Sequence, residues 1–137
     1  MGWSFLPGQY SVEVVNGLAT MDILDIHCKK SGFKSKDLEI SHIPGNGNYS
    51  WTFNTSIVKS MSYECNLTWP NHGHLSFTAF EDNKIFVDDY CGGRHCSWKA
   101  TDSGIYLYNI KHRNFTFVTT WYKYLYTEVS CKLGNYY

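Results

Sequence analysis

Alternation of apolar and polar residues with a period of two is the feature that most constrains the fold of this chain. It is clearest in residues 61–69, and it recurs in residues 24–28, 49–54, 75–79 and 96–100. A β-strand that buries one face produces this pattern, because its successive side chains point to opposite faces. The chain is therefore predicted to be rich in half-buried strands, and little of it shows helical periodicity.

Further β-rich runs lie at residues 10–15, 104–110 and 115–126, and short turn sequences separate most of the runs. Asn16-Gly17 is predicted to form a tight hairpin turn, because both residues tolerate a positive φ. Residues 31–43 are irregular and hold either a short helical turn or an edge strand. Strands joined by short turns are typical of an all-β, antiparallel sandwich or barrel, here of about seven or eight strands.

The 137 residues are enough for one domain and its core. We expect an N-terminal extension over residues 1–9, a sandwich over residues 10–126 and a C-terminal tail over residues 127–137. The first residues lack the features of a signal peptide, so the chain is either cytosolic or a mature secreted chain with an added start Met. Zero net charge argues against nucleic acid as a partner, and no apolar run is long enough for membrane insertion.

Cysteines and glycosylation sequons favour secretion. The chain has five cysteines, and fifteen schemes pair four of them, among which the sequence alone does not choose. Disulfides persist in oxidising compartments. Four Asn-x-Ser/Thr sequons are possible N-glycosylation sites, at Asn48, Asn54, Asn66 and Asn114.

An ordered set of cysteine and aromatic motifs resembles a known family. The motifs lie between residues 12 and 121: Asn16-x-Leu18, His27-Cys28, Asp37-Leu38, Tyr49-x-Trp51-x-Phe53, Tyr63-x-Cys65-x-Leu67-x-Trp69, Phe77-x-Ala79-Phe80, Cys91-x4-Cys96-x-Trp98 and Gly104-Ile105-Tyr106. Together they resemble the plant self-incompatibility protein S family, the S-protein homologues.

The resemblance implies a small secreted β-sandwich with two disulfides. Four cysteines match the family, and within that resemblance we expect Cys28 to pair with Cys96 and Cys65 with Cys91. Cys131 lies outside the match. Three alternatives remain for it: a free thiol, an intermolecular disulfide or a disulfide partner that is atypical of the family. The family usually has Gly after Asp-Leu, where this chain has Glu39, so the backbone there is in question.

The resemblance also implies a function. The best-known family member is a stigma determinant of self-incompatibility that a pollen surface protein recognises. We therefore expect a secreted signalling ligand that acts in cell–cell recognition and binds a cell-surface receptor protein. Because loops on a rigid sandwich carry specificity, the least patterned segment is the candidate partner-binding loop. Its candidate residues are Glu81, Asp82, Asn83, Lys84, Asp88 and Asp89.

Metal, cofactor and catalytic alternatives are weaker. Cys91, His95 and Cys96 with His72 or His74 offer zinc ligands, but their spacing is loose and disulfides fit better. The acidic residues from Glu81 to Asp89 lack a calcium-loop pattern. His27 and Cys28 are adjacent on a strand and point to opposite faces, so they do not form a thiol–base pair. We expect no metal, no cofactor and no enzymatic activity.

Tyrosines support an alternative function. Tyr122, Tyr124 and Tyr126 are spaced to share one strand face, where they would stack on sugars in a lectin-like, carbohydrate-binding sandwich. The simpler interpretation is a cross-strand tyrosine ladder. Trp51, Trp69 and Trp98 fall on apolar strand faces and are expected in the core.

Overall fold

A computed structural model describes residues 7–123 of the chain. These residues form ten strands and one short π-helix, and none of their helices is long and apolar enough to cross a bilayer. The elements are β1 Gly8–Asn16, β2 Leu24–Gly32, β3 Lys36–Ile43, β4 Asn48–Thr55, β5 Met61–Trp69, β6 Gly73–Glu81, the π-helix Ile85–Cys91, β7 His95–Thr101, β8 Gly104–Asn109, β9 Asn114–Thr119 and β10 Tyr122–Lys123.

The strands form two five-stranded sheets packed face to face, which confirms the predicted all-β sandwich. Sheet A has the order β4-β1-β7-β8-β9, and sheet B has the order β10-β6-β5-β2-β3. All pairings are antiparallel except that of β1 with β7. The strand count exceeds the prediction because β3 occupies the irregular segment and because two short strands, β9 and β10, replace one predicted run within residues 114–123.

The core lies between the sheets and is built from the apolar positions of the alternating pattern. Phe80 is fully buried, and its ring contacts those of Tyr10, Phe53 and Phe86 at centroid distances of 5.5, 4.7 and 5.7 Å. Trp69 and Trp98 are buried as predicted, whereas Trp51 is only half-buried and packs against the edge of the core. One aromatic-rich core therefore holds both sheets together.

Asn16 does not turn a hairpin, contrary to the prediction. β1 pairs with β4 and β7, and the next strand along the chain belongs to the other sheet. The Asn16 side chain is fully buried, and its amide donates to the carbonyl oxygens of Asp22 and Ile43 at 2.8 and 2.9 Å. Its Oδ1 accepts a hydrogen bond from the Leu18 N–H at 3.1 Å. Asn16 thus satisfies three backbone groups where the chain crosses between sheets.

The two disulfides join the four cysteines expected to be bonded, but the expected pairing is wrong. Cys28 bonds Cys65, directly opposite it in the β2–β5 pair, and Cys91 bonds Cys96. The Cα atoms lie 4.0 and 5.1 Å apart in the two pairs. Cys28 and Cys96 lie in different sheets, so each is bonded to a closer neighbour. Cys131 lies outside the described residues.

Glu39 stands where the resemblance implies Gly, and its backbone adopts a conformation that Gly favours. Glu39 has φ of +65°, in the left-handed region that favours glycine. Next to it, the register of the β2–β3 pair shifts between His27 and Lys29. The Asp37 carboxylate accepts a hydrogen bond from the Glu39 N–H at 2.9 Å, which holds this conformation.

Candidate functional site

The predicted partner-binding segment folds into a π-helix with a capped start. Asn83 Oδ1 accepts a hydrogen bond from the Phe86 N–H at 2.8 Å, and Asp82 Oδ2 accepts one from the Met61 N–H at 3.0 Å. Burial raises the pKa of the Asp82 carboxyl, and this hydrogen bond lowers it by a smaller amount. Asp82 and Asn83 therefore fix the local backbone.

The end of the π-helix is held by three kinds of interaction. Gly92 adopts φ of +72°, and a Cβ there would meet Asn109 Oδ1 at 2.7 Å. The buried Asn109 amide donates to the Asp89 carbonyl oxygen at 2.9 Å, and the Ile110 N–H donates to the Cys91 carbonyl oxygen at 3.0 Å. The Cys91–Cys96 disulfide adds a covalent link to β7. The π-helix therefore has a fixed position, although it lies in the connection between β6 and β7. It forms one wall of the cleft described next.

A cleft of about 450 Å³ opens beside this wall, between the two sheets. β10 pairs only with Gly73 and His74, so among residues 7–123 the second half of β6 is paired with β5 alone and its other edge is open beside the cleft. The floor of the cleft is apolar and buried, formed by Phe86, Trp98 and Leu107. The Trp98 indole N–H donates to the Ala79 carbonyl oxygen at 3.1 Å and so takes a fixed orientation.

The rim of the cleft combines carboxylates with exposed apolar side chains. Glu81 and Asp89 are exposed on one side. Tyr90, Phe117 and Val118 are 55, 50 and 45% exposed and complete the rim. An apolar floor under an acidic rim suits a ligand that offers an apolar group flanked by positive charge.

The structure thus separates the six predicted loop residues. Glu81 and Asp89 line the cleft, whereas Lys84 is exposed away from it. The Asp88 carboxylate lies 3.8 Å from the Lys111 ammonium group and braces the π-helix against the β8–β9 turn. The aromatic half of the site on β9 was not predicted, since β9 is exposed on both faces and shows no alternation in burial.

The four sequons are all exposed, on strands of both sheets. Asn48 and Asn54 lie on β4, Asn66 lies on β5 and Asn114 starts β9. Asn66 Oδ1 accepts a hydrogen bond from the Ser76 hydroxyl, and Asn48 donates one to Glu13. Every sequon side chain is therefore at the surface, and Asn114 is the one on the edge strand that borders the cleft.

A serine–histidine–glutamate network on the outer face of sheet A was not predicted. Ser11 Oγ lies 2.6 Å from His95 Nδ1, and His95 Nε2 lies 3.4 Å from Glu13 Oε1. The strand register places these residues together, since Ser11 opposes His95 across the parallel β1–β7 pair. The Ser11 N–H already donates to the Arg94 carbonyl oxygen at 2.9 Å, so it is not free to stabilise an oxyanion. The network braces the parallel pair.

The other cysteine and histidine combinations have structural partners. Both thiols of the zinc alternative form a disulfide, and Cys28 is bonded to Cys65 rather than paired with His27. His27 lies on the outer face, with Nε2 2.6 Å from Asp37 Oδ1. Within residues 7–123, no group of three His, Cys, Asp or Glu side chains is arranged to hold a metal ion.

Only one of the three tyrosines proposed for sugar stacking can be placed. Tyr122 is 68% exposed on β10, and its ring lies 5.1 Å from that of His74. Tyr124 and Tyr126 lie outside the described residues. The carbohydrate-binding hypothesis stays a prediction with one exposed aromatic side chain in position to serve it.

Comparison with known proteins places this architecture in a family. Residues 11–121 match the family described as plant self-incompatibility protein S1. The chain is similar to the Arabidopsis thaliana proteins S-protein homolog 1 and S-protein homolog 74, at 35 and 32% identity over 101 residues. Each of these alignments covers 74% of this chain and 64% of the relative. S-protein homolog 3 of the same plant is 27% identical over 110 residues, which are 80% of this chain and 71% of the relative.

The family match includes both disulfides, the π-helix and the residues that form the cleft. The chain spans a little under two thirds of the length of the first two relatives. The match confirms the resemblance drawn from the cysteine and aromatic motifs, and the chain belongs to the plant self-incompatibility protein S1 family.

Proposed function

We propose that this chain is a secreted plant signalling ligand that a cell-surface receptor recognises through the acidic-rimmed cleft. The observation that carries the proposal is the fixed wall of the cleft. The π-helix is capped at Asn83 and bonded at Cys91, and it holds Asp89 and Tyr90 beside an apolar floor. A preorganised surface binds with a smaller loss of conformational entropy than a loop that orders on binding.

Secretion is supported by two features of the chain. Both disulfides are buried in the domain, and disulfides persist in oxidising compartments. All four sequons lie at the surface, where a glycan would not disturb the core. Expression in a plant secretory system, followed by mass spectrometry of the medium, tests this part separately from recognition.

The chemistry of the rim indicates the complementary receptor surface. Glu81 and Asp89 favour Lys or Arg on the partner, and the exposed rings of Tyr90 and Phe117 favour an apolar side chain inserted between them. Because the chain has no net charge, this complementarity acts locally rather than through a long-range field.

The test is saturable binding of labelled protein to plant protoplasts. A double variant, Glu81→Gln with Asp89→Asn, is expected to weaken binding by about tenfold or more, since rim charges would lose their partners. Glu39→Gln is the matched control, because it removes an exposed carboxylate outside the cleft. Equal binding by the wild type and the double variant would exclude the cleft, and the absence of saturable, protease-sensitive binding would exclude the receptor.

A glycan array separates the carbohydrate-binding alternative from this proposal. Glycan binding that is lost in Tyr122→Ala and kept in the cleft double variant would favour the lectin-like function. Protoplast binding without any glycan signal favours the protein receptor.

A further inference from the structure

One end of the sandwich, where β2 and β4 finish, carries exposed apolar side chains. Ile57 and Val58 are 63 and 80% exposed in the β4–β5 connection, and Phe33 is 39% exposed in the β2–β3 connection. Neighbouring exposed apolar residues of this kind, bordered by charge, are typical of interaction surfaces. None of the three lines the acidic-rimmed cleft.

Three lysines surround the Phe33 ring. The ammonium nitrogens of Lys30, Lys34 and Lys59 lie 6.0, 5.3 and 4.1 Å from the ring centroid. Within residues 7–123, none of these ammonium groups forms an ion pair with a carboxylate. We call this surface the basic tip: Lys30, Phe33, Lys34, Ile57, Val58 and Lys59. It concentrates positive charge on a chain whose net charge is zero.

The β2–β3 and β4–β5 connections, which carry every residue of the basic tip except Lys30 of β2, are fixed to each other. The Phe33 N–H donates to the Ser60 carbonyl oxygen at 3.1 Å. Gly32 has φ of +90°, and a Cβ there would lie 2.5 Å from the Ser60 carbonyl oxygen. In the connection that follows β6, the Asp82 carboxylate accepts a hydrogen bond from the Met61 N–H. The lysines and the apolar side chains are thus presented together on one support.

We propose that the basic tip docks on the surface of a bilayer that contains anionic phospholipid. Ile57 and Val58 enter the boundary between headgroups and acyl chains, and the three lysines contact the lipid phosphates and carboxylates. A soluble polyanion would satisfy the lysines but would give the aliphatic side chains no apolar phase to enter. The bilayer alone matches both parts of the tip, and this contact is peripheral rather than a membrane span.

This inference is independent of receptor recognition, because the basic tip and the acidic-rimmed cleft share no residue. The experiment therefore uses protein-free vesicles, so that its result does not depend on the receptor.

The test is co-sedimentation of the full, disulfide-bonded chain with phosphatidylcholine vesicles, with and without phosphatidylserine. One double variant, Lys34→Gln with Lys59→Gln, removes charge, and Val58→Ser removes an apolar contact. Lys123→Gln and Ile23→Ser are matched controls, because both residues are exposed and lie at the opposite end of the sandwich. Thermal unfolding of each variant verifies that it is folded.

Binding is expected only to vesicles with phosphatidylserine, and it should weaken as salt screens the lysines. The lysine double variant should lose roughly 25-fold in partition coefficient, since each lysine near an anionic surface contributes about fivefold. Val58→Ser should lose about fivefold, and the controls should stay within about twofold. No binding, equal binding to neutral vesicles, or equal losses in the controls would overturn the proposal. Binding to heparin with none to vesicles would also overturn it, since it would assign the tip to a soluble polyanion.

Discussion

Removal of the two disulfides one at a time should destabilise the domain by different amounts. The perturbations are two double variants, Cys28→Ala with Cys65→Ala and Cys91→Ala with Cys96→Ala. All four cysteines are buried, with exposed fractions of 1% or less. Both variants therefore lose nearly the same amount of buried sulfur. The difference between their free energies of unfolding reports how strongly each disulfide restricts the unfolded chain.

The magnitude follows from the length of the loop that each bond closes. The Cys28–Cys65 bond has a sequence separation of 37, and the Cys91–Cys96 bond has a separation of 5. The chain-entropy relation gives about 3.8 kcal/mol for the long loop and about 2 kcal/mol for the short one at room temperature. The free energy of unfolding should therefore fall by about 1.8 kcal/mol more when Cys28–Cys65 is removed.

Urea denaturation without reductant, followed by tryptophan fluorescence, measures both free energies. Peptide mapping of the wild type without reduction verifies the pairing first. Equal losses, or a larger loss for the Cys91–Cys96 variant, would refute the assignment of stability to loop closure. A map that joins Cys28 to Cys96 would refute the pairing itself.

Three further changes test particular backbone and side-chain interactions. Asn16→Ala should lower the free energy of unfolding by about 3–5 kcal/mol in urea titrations, because three backbone groups lose their partner, and a loss below about 1 kcal/mol would contradict this role. Glu39→Gly should raise the free energy of unfolding by about 1 kcal/mol, because glycine adopts the left-handed backbone without strain. A fall in the free energy of unfolding would show that Glu39 is not strained there. The indole N–H of Trp69 and the Thr20 hydroxyl hold the pKa of Asp22 below its ordinary value. The stabilisation that ionised Asp22 gives the folded chain is therefore fully present above the pKa of Asp22 in the unfolded chain, and it is lost as the pH falls through its pKa in the folded chain. Asp22→Asn should therefore flatten the fall of the thermal midpoint below about pH 4, and an unchanged slope would contradict the coupling.

The sequence predicted strands wherever one face is buried and the other is solvated. β5 is the clearest case, since every second side chain from Met61 to Trp69 is buried. The same reasoning left β3 undecided, because this edge strand is exposed on most of its length and its burial does not alternate. Edge strands pair on one side only, so their side chains record little of the fold.

The candidate site was predicted in part, for similar reasons. Glu81 and Asp89 stood out as charges in an unpatterned segment, and the structure places both at the cleft. The π-helix that contains Asp89 was not predicted, since seven residues are too few to show helical periodicity. The Cys28–Cys65 bond and the Asn16 contacts depend on which strands and loops become neighbours in space, and local sequence does not record that choice.

The parallel pairing of β1 with β7 has a consequence for the order in which the domain can fold as it is synthesised. β1 is made first, yet it lies inside sheet A, between β4 and β7, and it gains its β7 neighbour only when residues 95–101 have emerged. Four strands of sheet B, by contrast, come from residues 24–81, and both cysteines of the Cys28–Cys65 bond lie within that stretch. Sheet B can therefore assemble and be covalently closed while sheet A is incomplete. During that interval, the edge of β1 that later pairs with β7 has no strand partner, and an unpaired strand edge is a site at which growing chains associate wrongly.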